Sequence, residues 1–305
     1  MNEDSNGAFY VYGFTQAGLV PGAARAAMTV AGASASLFSV GIDEPHPPFF
    51  RDCGRVAAVL SRVSPSEFCG PTGEKNLQDL AWVTPRACRH EAVLEQVMRL
   101  GAVLPARFGT LFSSTASLES FMRQHEAAIG RFLEHVSGQE EWAVKGFLDQ
   151  ARAEAEWLAR RRSEEPGVPG LPPGAAYLLE QSLHIQAREA LDDRLAQMCS
   201  DLLDELNLLA SEIVERRILA HERPDAAREM VLNWALLLPA AAAADFRGRI
   251  ERANAEQNRS GPALEVSGPW PPYSFCPVLE AGPAREGAII AKENYERRAC
   301  GCEGG

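Results

Sequence analysis

His90 and Glu91 are neighbours in a stretch with helical spacing, and Arg107 follows on an extended segment. An imidazole, a carboxylate and a guanidinium drawn together can move a proton and hold an anion, which would make a small acid–base site. The same trio also serves as a hydrogen-bonded polar joint between a helix and a sheet. No nucleophile signature accompanies it, so the joint is the favoured reading. Cys300 and Cys302 form a second candidate, for a soft metal or redox cycling. A structural zinc site needs four ligands in a fixed frame, and two thiols near the chain end do not supply them. The other cysteines, Cys53, Cys69, Cys88, Cys199 and Cys276, lack C-x-x-C spacing and read as idle or buried thiols. The early glycines match neither phosphate-loop pattern, and neither H-E-x-x-H nor G-x-S-x-G occurs. No catalytic residue, cofactor ligand or metal ligand is assigned.

Two apolar features carry more weight. Gly268-Pro-Trp-Pro-Pro-Tyr-Ser-Phe275 follows a short alternating run, residues 263–267, that reads as a final strand. Proline cannot donate to a ladder, so the strand is expected to stop at Pro269. Trp270, Tyr273 and Phe275 then offer large apolar surface on a stiffened chain, either as a latch over a core edge or as a face for a partner. The latch is the favoured reading. Leu191, Leu195, Met198, Leu202, Leu206 and Leu209 advance at nearly heptad spacing. Such a row is usually core, and on a helix reaching beyond its sheet it can bind another protein's helix.

These residues need elements to position them. A chain of 305 residues suits two domains. Its hydrophobic share of 46% and charged share of 23% are ordinary for a soluble globular protein. The formal charge is −11, with −3 over residues 1–148 (12 Lys+Arg, 15 Asp+Glu) and −8 over 149–305 (18 and 26). An acidic chain without a basic stripe argues against nucleic acid or an anionic membrane as the main partner. No apolar run is long enough to span a bilayer. The acidic start has the wrong sign for a secretory signal, and an odd number of scattered cysteines does not make a disulfide framework. A cytosolic protein with reduced thiols is expected.

Residues 9–13 read as a strand, 15–35 as mostly loop, and 36–40 as a short strand. Residues 49–61 read as a hairpin turning at Asp52-Cys53-Gly54. A helix is expected to open with Thr84 as N-cap and Pro85 in its first turn, and to end at Gly101. Residues 103–112 are extended, and a helix with a broad apolar stripe runs from 114 to Gly138. Residues 140–147 alternate as a strand, with Glu141 on the polar face. Helices at 149–162 and 175–209 follow, separated by a proline-rich break. Strands at 213–219 and 229–238, a helix to about residue 258 and the strand at 263–267 complete a β-α-β-β-α-β order. The fold class is α+β: an N-terminal α+β domain (1–138), then a C-terminal ferredoxin-like (βαββαβ) domain (139–278) with a long helical hairpin or coiled-coil insertion. A flexible tail (279–305) is expected to end the chain.

Several short motifs occur in the order found in one family. They are Tyr10-Val-Tyr-Gly13, Val56-Ala-Ala-Val-Leu-Ser61, His90-Glu-Ala-Val-Leu94, Val103-Leu-Pro-Ala-Arg-Phe-Gly109, Glu141-Trp-Ala-Val-Lys145, Gly174-Ala-Ala-Tyr-Leu178 and the aromatic stretch ending at Phe275. In these the chain resembles the GvpF/GvpL gas vesicle proteins from about Phe9 to Phe275. The resemblance implies a non-enzymatic accessory protein in the assembly of gas vesicles, which are protein-shelled, gas-filled compartments. It further implies binding to the hydrophobic shell protein GvpA, or to other accessory Gvp proteins, in the cytoplasm and at the vesicle. An enzyme or small-ligand binder using His90, Glu91 and Arg107 is the alternative.

Overall fold

The computed structural model describes residues 8–19, 38, 40–43, 45–164, 172–218, 228–256, 261–279 and 288–289. The chain divides into two compact units of mixed helix and sheet. One holds residues 1–138 and 271–305, the other residues 139–270.

The first unit is built around β1 (Ala8–Gln16), whose aromatic and β-branched residues are buried along all but the last position. β2 (Phe49–Cys53) and β3 (Val56–Val63) form a hairpin. Its turn is Gly54-Arg55, one step beyond the expected one, with Gly54 at φ 64°. Two short helices, α1 (Pro65–Phe68) and α2 (Gly70–Asn76), lead to α3 (Leu80–Met98). β4 (Val103–Pro105), β5 (Leu111–Phe112) and α4 (Thr115–His135) follow. β1 pairs antiparallel with β3 on one side and with β4 and β5 on the other. Far along the chain, β10 (Ala288–Ile289) pairs with β5. The remainder of the expected tail after residue 279, and the expected loop and strand over most of residues 20–39, lie outside the described residues.

Both faces of this sheet are covered. Tyr10, Tyr12, Val59 and Val63 share a core with Val93, Leu94 and Val97 of α3. On the opposite face Phe14 and Phe112 meet Phe121 of α4 at ring separations of 5.8 and 5.4 Å. A bulge between Val11 and Gly13 lets β1 serve both faces, because it directs Tyr12 and Gly13 to the α3 side. The site needs glycine, since a Cβ at Gly13 would lie 2.7 Å from the Leu104 carbonyl oxygen.

α3 begins at Leu80, with the Asp79 side chain accepting from the Ala81 N–H, and Pro85 sits inside it. The expected start at Thr84 is corrected by this better cap. The first turn is also held by Trp82, which lies edge-on to Phe68 at 5.2 Å and stacks under the Arg86 guanidinium at 4.0 Å. α4 begins where its pattern places it, with Ser114 accepting from the Ser117 N–H.

The second unit contains β6 (Gln139–Leu148), α5 (Gln150–Glu164), α6 (Pro173–Asn207), β7 (Glu212–Glu215), β8 (Glu229–Pro239), α7 (Ala243–Glu256) and β9 (Ala263–Trp270). The sheet order is β7-β8-β6-β9, and every neighbouring pair is antiparallel. Trp142, Val144, Leu202, Leu206, Phe246 and Ile250 anchor its core. α5 and α6 run as an antiparallel hairpin: Arg162 pairs with Glu180, while Glu154 takes His184 and Arg188. Glu141 does not face solvent as its alternation predicted. It is 1% exposed and pairs with Arg216. β7 ends at Glu215, short of the expected strand, although the Arg216 N–H still donates to the Asn233 carbonyl of β8.

β9 does not stop at Pro269. It continues to Trp270, which pairs with Glu141 across a register shift. An edge strand can lack a donor on its outer side, so Pro269 is tolerated there. Gly268 makes the geometry feasible: its φ is 136°, and a Cβ would lie 2.9 Å from the Glu141 carbonyl oxygen. Gly268→Ala is therefore expected to lower stability by about 2 kcal/mol or more, seen as a lower urea midpoint. An unchanged midpoint would show that β9 rearranges without cost.

Candidate functional site

The strand pattern of β1 puts Tyr10 and Tyr12 on one face, and helical spacing aligns His90, Val93, Leu94 and Val97 on the facing side of α3. His90 is 1% exposed. Its Nδ1 lies 2.9 Å from the Tyr10 hydroxyl, which also accepts the Gly109 N–H at 3.3 Å. Its ring stacks on Tyr12 at 5.6 Å and meets Phe108 edge-on at 6.0 Å. Burial lowers the His90 pKa from 6.5 to about 4, opposed in part by the Ala106 backbone. His90 is therefore a neutral ring at neutral pH. Nε2 is buried and meets no partner in full hydrogen-bonding geometry. Tyr12 completes the layer: its hydroxyl bonds Ser61 Oγ at 2.9 Å and accepts the Ile42 N–H at 2.6 Å, and burial pushes its pKa up to about 12.

Glu91 points to a different partner. Its Oε1 accepts the Tyr273 hydroxyl proton at 2.6 Å, and its Oε2 is buried without a partner. Burial raises the Glu91 pKa; the bond from Tyr273 opposes this, and the Glu95 charge adds to it. Burial and the Glu91 charge raise Tyr273 well above the usual phenol range, which keeps it the donor. The Tyr273 ring packs against the same core as Tyr10.

Arg107 does not enter this arrangement. Its side chain is exposed, and its backbone carbonyl accepts from the Thr110 N–H and hydroxyl. The expected trio is thus replaced by two tyrosine pairs, Tyr10–His90 and Tyr273–Glu91. These enclosed pairs can hold β1, α3 and the returning segment in register. A neutral ring at 1% exposure is poorly placed to exchange protons with a substrate. Among the described residues no cluster of three or more His, Cys, Asp and Glu side chains could hold a metal ion.

The aromatic stretch divides between the units. Residues 271–278, expected with the second domain, belong to the first unit. Trp270 ends β9 half-exposed, its indole N–H donating to Ser267 Oγ at 3.1 Å. Phe275 is half-buried in a short 3₁₀ turn with Tyr273. The deep contact of a latch is made by Tyr273, not Trp270. Along α6, Leu202 is 5% exposed in the second core, and Leu195 is half-buried beside a water-sized cleft with Leu148, Leu191 and Met198. Sequence reasoning missed Tyr10 and Tyr12 as polar partners, although their spacing two apart on a strand facing a helix was available. It also missed the exposed apolar group of Tyr177, Leu178, Leu179 and Ile185 on α6.

Crystal structures share this fold. GvpF from Anabaena sp. PCC7120 matches with a TM-score of 0.62 at 18% identity, covering 92% of this chain and 100% of that one. GvpF from Microcystis aeruginosa matches with a TM-score of 0.60 at 20% identity, covering 90% and 100%. At the sequence level, gas vesicle protein L from a Streptomyces species is 26% identical over 236 residues, 77% of this chain and 85% of that protein. Gas vesicle protein L1 from Halobacterium salinarum is 24% identical over 264 residues, 82% and 88%. The model of the gas vesicle synthesis protein GvpL/GvpF family matches residues 8–277. The chain belongs to the GvpL/GvpF family of gas vesicle proteins.

Two outcomes follow from the buried pairs. Between pH 6.5 and about 4 the unfolded chain holds a proton on His90 that the folded chain refuses. Stability from this group is fully present above that window and is lost as pH falls through it, on the order of 3 kcal/mol in all. Glu91 acts with the opposite sign, losing stability as pH rises above the usual carboxylate range. Urea midpoints taken from about pH 7 down to about pH 4.5 should fall more steeply for the parent than for His90→Asn. Parallel curves would show that His90 titrates freely. Tyr273→Phe should cost about 1–3 kcal/mol by stranding the Glu91 carboxylate, and adding Glu91→Gln should cost less than the sum of the two. Strict additivity would show that the pair is not coupled.

Proposed function

We propose that this protein is a non-enzymatic accessory factor of gas vesicle assembly that binds the hydrophobic shell protein GvpA, other accessory Gvp proteins, or both. The observation that carries this reading is family membership over residues 8–277. The chemistry of the residues agrees with it. Among the described residues, the His90–Glu91 pair that resembles an acid–base site is buried under tyrosines and holds a neutral imidazole. No helix among the described residues is long and apolar enough to cross a membrane. A shell protein with an apolar face aggregates before assembly, and an acidic partner with apolar surfaces can cover it. Such a factor acts in the cytoplasm and at the growing vesicle. Its second unit is read as a ferredoxin-like sandwich with a helical hairpin inserted after its first strand, supported by the antiparallel order β7-β8-β6-β9.

Co-expression tests the reading. The affinity-tagged full chain is expected to pull down the shell protein, or another protein of the same vesicle gene set, and to raise the fraction of shell protein left in the supernatant. Neither capture nor a solubility change with any of these proteins would sink the proposed role.

A further inference from the structure

The first half of α6 exposes large apolar side chains on the side turned away from its own packing. Tyr177, Leu178 and Ile185 are 64%, 68% and 58% exposed, whereas Ala187 is 0% exposed. At about 100° per residue, Leu178 and Ile185 share one side of the helix and Ala187 stands opposite. Leu178, Ser182, Ile185, Glu189 and Asp192 follow one another along that outward side at alternating steps of four and three. Asp193 borders the same line. The outward side of α6 is therefore apolar at its start and acidic further on.

These carboxylates differ from others of the hairpin. Glu154 takes His184 and Arg188, Glu156 takes Arg152, and Glu180 takes Arg162. Glu189, Asp192 and Asp193 are exposed, and none of them has a hydrogen-bond or ion-pair partner among the described residues. α6 holds two basic residues, Arg188 and Arg194, and neither answers them. Arg188 pairs with Glu154, and Arg194 lines the cleft on the packed side with Leu191 and Met198. Like charges three and four apart on a helix repel one another, so a cation laid across them is favoured. An apolar patch that runs on into carboxylates fits a helix whose apolar side runs on into lysine or arginine. The net charge of −11 draws such a partner in from a distance.

We propose that the outward side of α6, from Leu178 to Asp193, is a docking surface for a basic amphipathic helix of another protein of the vesicle, an assignment that rests on the function proposed above. The partner lays its apolar end on Leu178 and Ile185 and its basic end on Glu189, Asp192 and Asp193. From Leu178 to Asp192 the line is about 21 Å long, some four turns of partner helix. A second copy of this chain fits less well. A parallel two-fold contact sets the three carboxylates against each other, and an antiparallel one that matches Leu178 to Ile185 puts Glu189 opposite Gly174, which offers no cation. An anionic lipid surface is repelled by the same carboxylates.

The test uses the full chain and two labelled designed helices of about 20 residues, long enough to hold helical structure. Both carry leucine at i, i+4 and i+7; one continues with Lys at i+11, i+14 and i+15, the other with Glu. The Lys helix should bind, and the Glu helix at least about tenfold more weakly. Glu189→Gln with Asp192→Asn and Asp193→Asn should weaken the Lys helix by a similar factor. Glu164→Gln with Glu251→Gln and Glu256→Gln removes as much charge from exposed positions elsewhere and should leave binding unchanged. Leu178→Ser with Ile185→Ser should abolish binding while leaving the urea midpoint unchanged, and the charge variants keep the proposal testable if this one misfolds. Equal binding of both helices, no binding by the parent, equal losses in the two charge variants, or full binding by the folded Leu178→Ser/Ile185→Ser variant would overturn it. So would a dimer in sedimentation that this variant loses. If the parent captures a vesicle protein and the Glu189/Asp192/Asp193 variant captures it equally, the surface assignment falls and the proposed function stands. If the parent binds the Lys helix and captures no vesicle protein, the proposed function falls and the vesicle partner falls with it.

Discussion

A carboxylate and an imidazole stand side by side on one helix inside an apolar core, and each must find a polar partner without help from water. The solution sets much of the first unit. Tyr10 and Tyr12 bring hydroxyls down from β1, and Tyr273 brings a third from the far end of the chain. A tyrosine suits the task because its ring fills the core while its hydroxyl meets the polar atom. The cost of burial is visible in the protonation of every member: His90 is held neutral, Tyr12 and Tyr273 are held protonated, and Glu91 resists ionisation. Such a network specifies one register of β1 against α3, since a one-residue slip would turn the tyrosines to the α4 side.

The second unit meets a similar demand in another way. Glu141 lies in the central strand β6 and is answered by Arg216 at the end of β7. Breaking a buried ion pair by removing one partner leaves an uncompensated charge, so the pair fixes where β7 can lie. On the other side of β6, the strand β9 accepts Pro269 because it is an edge and because Gly268 takes a backbone angle that other residues rarely adopt. The unit's core is thus apolar packing framed by two edges with strict local requirements.

Much of this was legible in the sequence. The stripes of α4 and α6, the start of α4 near Ser114 and the strand at β6 follow from periodicity, which is local. The joint at His90 and Glu91 was legible as a polar feature in a helix with an apolar face. Its partners were not, because Tyr10 lies 80 positions away and Tyr273 182. Proximity along the chain pointed to Arg107 instead, whose side chain the short run between β4 and β5 leaves exposed. Two prolines misled for one reason: Pro85 and Pro269 were read as boundaries, yet tertiary packing and an edge position let the helix and strand run past them. Glu141 misled because alternation assumes that one face of a strand meets water.

The bond between Glu91 and Tyr273 has a consequence for synthesis. The chain leaves the ribosome from its N-terminus, so β1 and α3 emerge long before Tyr273 does. The whole intervening compact unit, residues 139–270, is made in between. The nascent first unit must therefore wait with the Glu91 carboxylate still hydrated and its core ajar. It can close only after Tyr273 has emerged. Local contacts form early and those of large sequence separation late, so the earlier-made half of this protein is the last to be completed.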